Sequence, residues 1–540
     1  MEESLRKSRR MPSNTEELLP LIPRPKKKWI PARVLICVMM FTACWTNYMC
    51  RLQMPILAVP MIKATGGNAS EGVCKQTEDS RFRRAVSWLD PGLELEDYIL
   101  SRRAEEMAGG ARFARDADED ARPSDGPIEL LNGKPFDWKP EVRGQLIAAY
   151  SYGNVPGNFL GGLMAVRWGP KAAILWTSIV AAVVSLFSPF FAQMHWIVLL
   201  LSRVVIGLTG GVTFPACHSL VAQWAPPDEK SRFVWSLLGG TFGTILTYPM
   251  VAMIAENLKW ENGWYIPSLL MFVWIVFWAV LTYDSPAEHP GISDEEKEHI
   301  LQAQAGTVRA KKPSLKETPI KAILTSVPFL SLVCCHFGNL FLLFFYQNSM
   351  MLYLTKALGF QLSKGGIAAS LPWAGRLLLG FFFSWAGDVI KRKEIVSLTV
   401  LRKGATVFSH FVPGIFLILV GYVGCRFVLA NVFLVLALGF NGAAAISNLS
   451  NNQDLSPNFA GFIYGLMNTI GSMSGMIISP LVEEIAGKYG NPIEKWQILF
   501  WIGAGVCILC MVIFIIGGSG NIQSWNEVRS EEDAERGRTN

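Results

Sequence analysis

Residues 203–218 read Arg203-Val-Val-Ile-Gly207-Leu-Thr-Gly210-Gly211-Val-Thr-Phe-Pro215-Ala-Cys217-His218, a largely apolar stretch that opens on a charge. Arg203, Gly207 and Gly211 are four residues apart and so lie along one face of a helix. We interpret the glycines as a packing seam, because they let a neighbouring helix approach closely. Pro215 removes a backbone hydrogen bond and loosens the helix. We interpret Arg203 as functional, because a charge at membrane depth usually faces a bundle interior.

Two further arginines, Arg51 and Arg376, also interrupt long apolar stretches. Three positive charges inside a helical bundle indicate that an anion moves through its centre. Arg51 has the alternative of extending its apolar stem to the outer membrane interface, and Arg376 that of pairing with carbonyl groups of a neighbouring helix. Asn339 and Gln347 lie close to one helix face. They are candidates to hydrogen-bond the same substrate, and polar packing between helices is their alternative.

The composition indicates a multi-pass membrane protein. Hydrophobic residues make up 51% of the 540 residues and charged residues 17%, whereas a typical soluble chain has about a quarter charged residues. Twelve apolar stretches are long enough for a helix to cross about 30 Å of hydrocarbon. Helices are expected because backbone groups in lipid must be satisfied within the segment. The predicted spans are residues 34–62, 142–166, 172–193, 196–222, 233–256, 264–283, 326–355, 365–387, 396–423, 427–449, 459–485 and 494–517.

The spans divide into two halves of six. We assign residues 1–33 to a basic tail, 34–283 to the first half, 284–325 to a polar linker, 326–517 to the second half and 518–540 to a C-terminal tail. A loop with glycine and cations follows the second span of each half, which supports an internal repeat. Such a repeat places a binding site near the midplane between the halves. The alternative is that glycine with Lys or Arg is ordinary in any cytoplasmic loop.

The charge distribution predicts the orientation. Eight Lys or Arg residues fall in the first 32, with no apolar core among them, so we expect no cleavable signal peptide and a cytoplasmic tail. Twelve spans return the C-terminus to the same side. This orientation accounts for the net charge of +6, and we expect no nucleic-acid partner.

The first loop, residues 63–139, is long and charged, and we expect it to be largely disordered or loosely packed on the outer face. It carries the glycosylation sequon Asn68-Ala69-Ser70. Cys74 and Cys425 are the two cysteines predicted on that side, where a disulfide between them is one possibility. The other eight fall in spans as small core residues, and no zinc or redox site is expected of them.

The opening stretch continues into Trp224-Ala-Pro226-Pro227-Asp-Glu229-Lys-Ser231-Arg232. Together they resemble the fourth helix and following loop of the anion/cation symporter family of the major facilitator superfamily, which includes sialin, the vesicular glutamate transporters and the sodium/phosphate cotransporters. Similar matches occur at residues 136–144, 283–296, 388–403 and 468–480. The resemblance implies an all-α fold of twelve transmembrane helices in two pseudo-symmetric halves. It also implies secondary transport, active or facilitative, of small organic or inorganic anions by alternating access.

The resemblance assigns roles to individual residues. Arg51 resembles the substrate-facing cation of the family's first helix and Arg203 the arginine of its fourth, whereas Arg376 matches no family cation. His218 matches a recurrent histidine near the cytoplasmic end of its helix, where we expect gating or helix capping. Further gating residues are expected in the loops after the second and eighth spans: Arg167, Asp388 and Arg392.

The departures from the family pattern are equally informative. Ile206 and Gly210 stand where sialin and the glutamate transporters carry glutamates that resemble proton-coupling groups. Ile147 and Asn339 stand where the glutamate transporters carry a histidine and an arginine, and Val166 replaces an aspartate. We therefore expect neither strong proton symport nor glutamate specificity. Flux should depend on sodium or membrane potential, unless protons use a group such as His336, which we otherwise interpret as a packing residue.

The sequence contains no enzyme constellation, neither a nucleophile elbow nor zinc spacing nor a phosphate-binding glycine loop. We expect no cofactor, and as partners a small anionic substrate and the lipid bilayer, with the chain a monomer. The alternative is a degenerate carrier that acts as a membrane receptor or scaffold through its long first loop.

The N-terminal tail suggests a location. Glu17-Leu18-Leu19-Pro20-Leu21-Ile22 fits an acidic dileucine sorting signal, in which Glu17, Leu21 and Ile22 would bind a clathrin adaptor. The same pattern also arises by chance. We expect an endolysosomal or vesicular membrane, with the plasma membrane as the alternative.

Overall fold

The computed structural model describes residues 31–63, 74, 135–226, 233, 235–304 and 318–526. These residues form helices and connecting turns, and one isolated β-bridge pairs Ile62 with Phe136. We number the twelve long helical segments in chain order. They are α1 Ala32–Met61, α2 Pro140–Trp168, α3 Pro170–Leu186 continued by Ser188–Met194, α4 Trp196–Trp224, α5 Ser236–Leu258, α6 Asn262–Leu281, α7 Val327–Ala357, α8 Leu362–Arg392, α9 Leu398–Val423, α10 Phe427–Leu455, α11 Ala460–Tyr489 and α12 Ile493–Gly517.

Ten of these segments in the described part of the chain are long and apolar enough to cross a membrane. The two pieces of α3 make an eleventh if they count as one span, bent by 50° where Phe187 separates them. The remaining segment, α2, has 29 residues but a more polar interior. Residues 144–162 of α2 are rich in glycine, tyrosine and asparagine, which suits a helix that packs on other helices.

The glycines of α2 and α4 form one packing seam. A Cβ on Gly207 of α4 would overlap the carbonyl oxygen of Tyr150, and one on Gly211 would lie 2.6 Å from the backbone nitrogen of Asn158. From the other side, a Cβ on Gly153 of α2 would overlap the backbone of α4. Because glycine alone permits backbones to come this close, the predicted packing seam is confirmed.

The polar linker contains a helix that holds the start of α1. In this linker helix, Asp294–Gln304, the Glu296 carboxylate accepts hydrogen bonds from the backbone nitrogens of Ala32 at 3.0 Å and Arg33 at 3.1 Å. A carboxylate at this position satisfies N–H groups that the first turn of a helix leaves unpaired and complements the helix dipole. The linker is therefore attached to the first half.

The two halves, α1–α6 and α7–α12, meet closely at one end of the bundle, which we call the closed end. Here α1, α5 and α7 finish and α2 and α8 begin. Several contacts join the halves there. The Tyr248 hydroxyl of α5 donates to the Gln347 carbonyl of α7 at 2.9 Å, the Glu256 carboxylate accepts from the backbone nitrogen of Ser363 at 2.6 Å, and a disulfide joins Cys74 to Cys425. The disulfide that the sequence left as a possibility is thus present.

The opposite end, which we call the open end, is packed more loosely between the halves. A Cβ on Gly475 of α11 would overlap the Ser151 side chain of α2, whereas Gly461 and Gly465, nearer the open end, have no atom within 4 Å of a built Cβ. His218, near the open end of α4, is exposed. Because the exposed His218 faces Tyr464 of α11 in the other half, solvent reaches the space between the halves at this end.

Candidate functional site

Arg51 lies where the two halves meet. Its guanidinium carbon is 4.2 Å from the ring centroid of Phe344 in α7, 5.1 Å from that of Tyr150 in α2 and 5.7 Å from that of Tyr48 in α1. Aromatic faces stabilise a cation without neutralising its charge. The side chain is partly exposed and lies inside the bundle, so its charge remains available to an anion there.

Arg203 has a different environment from Arg51. It is fully buried, and its terminal nitrogens donate to the carbonyl oxygens of Cys50 and Arg51, each at 3.0 Å. In α1 the Arg51 carbonyl would normally accept from residue 55, but Pro55 has no N–H. Arg203 satisfies the carbonyl that this proline leaves free. Its role in the structure is to position α1 at the turn that carries Arg51.

Arg376 is the third predicted cation, and a chain of amides holds it. Its Nε donates to the Asn441 side-chain oxygen at 3.1 Å, and the Asn441 Nδ2 donates to the Asn339 side-chain oxygen at 3.0 Å. The network therefore brings together two predicted site residues, Arg376 of α8 and Asn339 of α7, through Asn441 of α10. The sequence did not single out Asn441, because one buried asparagine in a span carries no distinguishing pattern. The sequence also allowed Arg376 to pair with backbone carbonyls of a neighbouring helix. The acceptor of this bond is instead a side-chain oxygen.

Gln347 lies one turn beyond Phe344 on α7, toward the closed end. Its side chain is buried, and its Oε1 has no hydrogen-bond partner. A buried amide oxygen without a partner is unusual, because the lost hydration is not replaced. Gln347 is thus placed close to the ring that contacts Arg51, but not in the amide network around Arg376.

Two histidines lie near the interface between the halves, and a third is buried within the second half. The ring of His218 lies 5.9 Å from that of Tyr464 in α11, and Tyr464 lies 6.1 Å from His336 in α7. His218 therefore contacts the other half, as a gating residue would. His410 pairs with the Cys335 carbonyl at 2.9 Å inside the second half, as a buried packing residue would.

The predicted gate residues Arg167, Asp388 and Arg392 are exposed at the open end. No ion pair within the described ranges involves any of them, so their gating role stays a prediction. The ion pair near this end of the second half is instead that of Arg402 with Asp454 at 2.6 Å. Arg402 falls in a stretch that resembles the family, but no role was assigned to it from sequence.

A buried ion pair at the closed end was also missed. Arg143 of α2 and Glu483 of α11 form two hydrogen bonds of 2.7 Å, and their side chains are 3% and 2% exposed. A Cβ on Gly144 would lie 2.9 Å from the Glu483 side chain, and one on Gly487 would overlap it. The two glycines therefore make room for the pair. Because 340 residues separate the partners, no local pattern pairs them.

The contacts described above do not test the predictions about metal binding, glycosylation and sorting. No group of three or more His, Cys, Asp or Glu residues in the described ranges could hold a metal ion. The sequon at Asn68 and the sorting residues Glu17, Leu21 and Ile22 lie outside the described residues.

Comparison with known proteins decides the family. A family model described as the Major Facilitator Superfamily matches residues 126–480. The chain belongs to the major facilitator superfamily. It is therefore a membrane transporter and not an enzyme.

The relatives of this major facilitator chain also confirm the predicted resemblance. Human sialin is 28% identical over 394 residues, which cover 73% of this chain and 78% of sialin. Vesicular glutamate transporter 3 of Danio rerio is 29% identical over 414 residues, 76% of this chain and 69% of that protein.

Solved structures confirm the fold. A D-xylose-proton symporter superposes with a TM-score of 0.58 over 91% of this chain and 99% of its own, at 12% identity. A peptide transporter gives a TM-score of 0.59 over 91% and 96%, at 13% identity. At such low identity these structures support the fold alone, and that fold is the predicted twelve-helix major facilitator bundle.

Proposed function

We propose that the chain carries a small organic or inorganic anion across a membrane by alternating access between its two halves. The observation that carries the proposal is a pair of arginines from opposite halves, Arg51 of α1 and Arg376 of α8, whose charges are not balanced by an ion pair within the described residues. The largely buried carboxylates of α10 and α11 each already bind an arginine elsewhere. An uncompensated charge is costly in a bundle interior, so an anion that neutralises it is bound favourably. The named vesicular glutamate transporters among the relatives fit an anionic substrate.

Alternating access is supported by the asymmetry of the two ends. The closed end is joined by the Arg143–Glu483 pair and the Tyr248 hydrogen bonds, and the space between the halves is reached from the open end. In the opposite state the halves would separate at the closed end and break the buried pair. With cytoplasmic termini, the open end faces the cytoplasm.

Uptake into proteoliposomes tests this function. We expect labelled anions from a panel of monocarboxylates, dicarboxylates and inorganic phosphate to accumulate above protein-free vesicles. Replacing Arg51 by Gln should lower the initial rate at least roughly tenfold, since a charge-assisted contact is lost. Arg426→Gln is the matched control, because Arg426 is exposed at the start of α10. A folded protein without flux for any anion would favour the receptor or scaffold instead.

We propose that coupling to protons is weak. Ile206 is buried, and a Cβ on Gly210 would overlap the Tyr150 hydroxyl and lie 2.8 Å from the Asn47 side-chain oxygen. An acidic side chain therefore has no room at 210. Uptake should change less than about twofold when an inward proton gradient is imposed at fixed membrane potential, and should respond to the potential or to sodium. A steep proton-driven uptake would contradict this.

We propose residence in endolysosomal or vesicular membranes, through the signal at Glu17, Leu21 and Ile22. A tagged chain should move from internal vesicles to the cell surface when Leu21 and Ile22 are both replaced by Ala. Equal surface levels of both forms would show the sorting assignment to be wrong. Glycosylation at Asn68 is tested in the same cells by the mobility of an Asn68→Gln variant.

A further inference from the structure

Asn441 connects four helices through one side chain. It is fully buried at the end of the regular part of α10, Phe427–Asn441, and the chain continues in a tighter turn, Gly442–Ile446. Its Oδ1 accepts from the Arg376 Nε at 3.1 Å, and its Nδ2 donates to the Asn339 side chain and to the Ser409 carbonyl, each at 3.0 Å. The amide of α10 thus contacts α7, α8 and α9.

These bonds fix the direction of the amide. A carboxamide has two N–H donors on one side and an acceptor oxygen on the other. The Ser409 carbonyl can only accept and the Arg376 Nε can only donate, so Nδ2 must face Ser409 and the oxygen must face Arg376. Rotating the amide by half a turn would break both of these bonds. Asn441 therefore presents a fixed acceptor to the Nε of Arg376.

The fixed acceptor leaves the other end of Arg376 free. The side chain is partly exposed, its terminal nitrogens are not among the buried unsatisfied atoms, and no residue of the described ranges accepts from them. With Nε held by Asn441, the far end of the planar guanidinium still presents two parallel N–H groups, one from each terminal nitrogen. Two parallel N–H groups match the two oxygens of a single acid group.

The other two arginines do not offer such a free pair of parallel N–H groups, which we call the fork. The terminal nitrogens of Arg203 bind the carbonyls of Cys50 and Arg51. The guanidinium of Arg51 lies over aromatic faces, which leaves its charge available but does not fix a donor direction. Arg376 is therefore the cation whose donors are both oriented and available.

We propose that Asn441 is a positioning residue that orients the Arg376 guanidinium to bind one carboxylate or phosphate group of the substrate through two parallel hydrogen bonds. This inference rests on the proposed function, since it names the group that the anion presents to the second half. Arg51 then supplies the less directional charge from the first half.

The test measures KM and maximal rate separately in proteoliposomes, with the labelled anion of highest uptake. Replacing Asn441 by Leu, which has the same branching at Cγ, should raise KM roughly 10- to 100-fold, as expected for loss of an oriented charge-assisted contact, with the maximal rate changed less than about threefold. Arg376→Lys keeps the charge but not the fork and should raise KM similarly. The double variant should be no worse than either single variant, because both remove the same interaction.

Asn448→Leu is the matched control. Asn448 is also a buried amide of α10, but it binds the His336 ring at 2.8 Å and not Arg376. It should lower protein yield or maximal rate as much as Asn441→Leu does, while KM stays unchanged. Unlabelled carboxylates and inorganic phosphate, added as competitors, identify which acid group occupies the fork.

Several outcomes overturn the inference. A normal KM in Asn441→Leu, an equal KM change in Asn448→Leu, or multiplying effects of Asn441→Leu and Arg376→Lys would each assign Asn441 a purely structural role while leaving anion transport intact. Equilibrium binding of the labelled anion to purified protein gives a second measurement. A folded wild-type protein that neither binds nor carries any anion of the panel overturns this inference and the proposed function together.

Discussion

At the scale of single residues, the three arginines differ in what surrounds them. Sequence alone identified Arg51, Arg203 and Arg376 as charges inside apolar helices, and all three lie inside the bundle. It could not distinguish their roles, because those depend on partners far along the chain. Pro55 gave a signal in retrospect, since a proline in a helix frees a carbonyl that a neighbouring donor can satisfy.

Arg203 is predicted to act through stability and through Arg51. Replacing it by Met should lower the free energy of unfolding by roughly 2–4 kcal/mol, because two buried carbonyls lose their donors, and should abolish uptake. The measurement is the thermal unfolding midpoint in detergent, with uptake in parallel. Arg51→Gln is the comparison and should lose uptake while keeping the wild-type midpoint. A stable Arg203→Met protein that lacks only substrate binding would instead make Arg203 a direct ligand.

At the scale of helices, the α2–α4 seam was predictable because its signal is local. Residues four apart share a helix face whatever the tertiary context, so the spacing of Gly207 and Gly211 indicated close packing before any partner was known. The partner helix was not given by the spacing. The glycine-rich interior of α2, which lowers its hydropathy, is the complementary signal.

The seam predicts that a methyl group is tolerated less at a glycine inside the seam than at a glycine outside it. Gly207→Ala should destabilise the protein by roughly 1–3 kcal/mol, as over-packing does, because the added methyl group overlaps the Tyr150 carbonyl. Gly162→Ala in α2 is the matched control, since a Cβ there meets nothing within 4 Å. The thermal unfolding midpoints of the two variants, each compared with the wild type, test this difference. If both melt like the wild type, the seam can relax at no cost and the close approach is not required.

At the scale of the whole molecule, contacts between the halves escaped the sequence. The fold and the division into halves follow from repeated apolar stretches, which are local. The Arg143–Glu483 pair and the Tyr248 hydrogen bonds join the two halves, and the Arg376–Asn441 bond joins two helices of the second half. In each case the partners are far apart in the chain, and each residue looks ordinary within its own helix. The candidate site was therefore predictable as a set of charges, but not as an arrangement.

The Arg143–Glu483 pair predicts how the closed end responds to substitution. Glu483→Gln should shift the protein toward the state open at that end, since removing one partner of a buried pair costs about 3–5 kcal/mol. Spin labels at residues 259 and 361, exposed at the closed ends of the two halves, should report a longer distance. The double variant Arg143→Leu/Glu483→Leu, which leaves no unpaired charge, should restore the short distance. An unchanged distance in Glu483→Gln would show that the pair does not hold this end shut.

The Cys74–Cys425 disulfide also has a consequence for how the molecule is made. Its partners are 351 residues apart, and synthesis runs from the N-terminus at about 5–20 residues per second. The Cys74 thiol therefore cannot meet its partner for roughly 20–70 s, while eight more helices are inserted. A chain stalled or truncated before residue 425 can never close this bond. The disulfide therefore marks chains whose synthesis has passed residue 425. Thiol labelling of pulse-labelled chains measures the fraction in which Cys74 is oxidised.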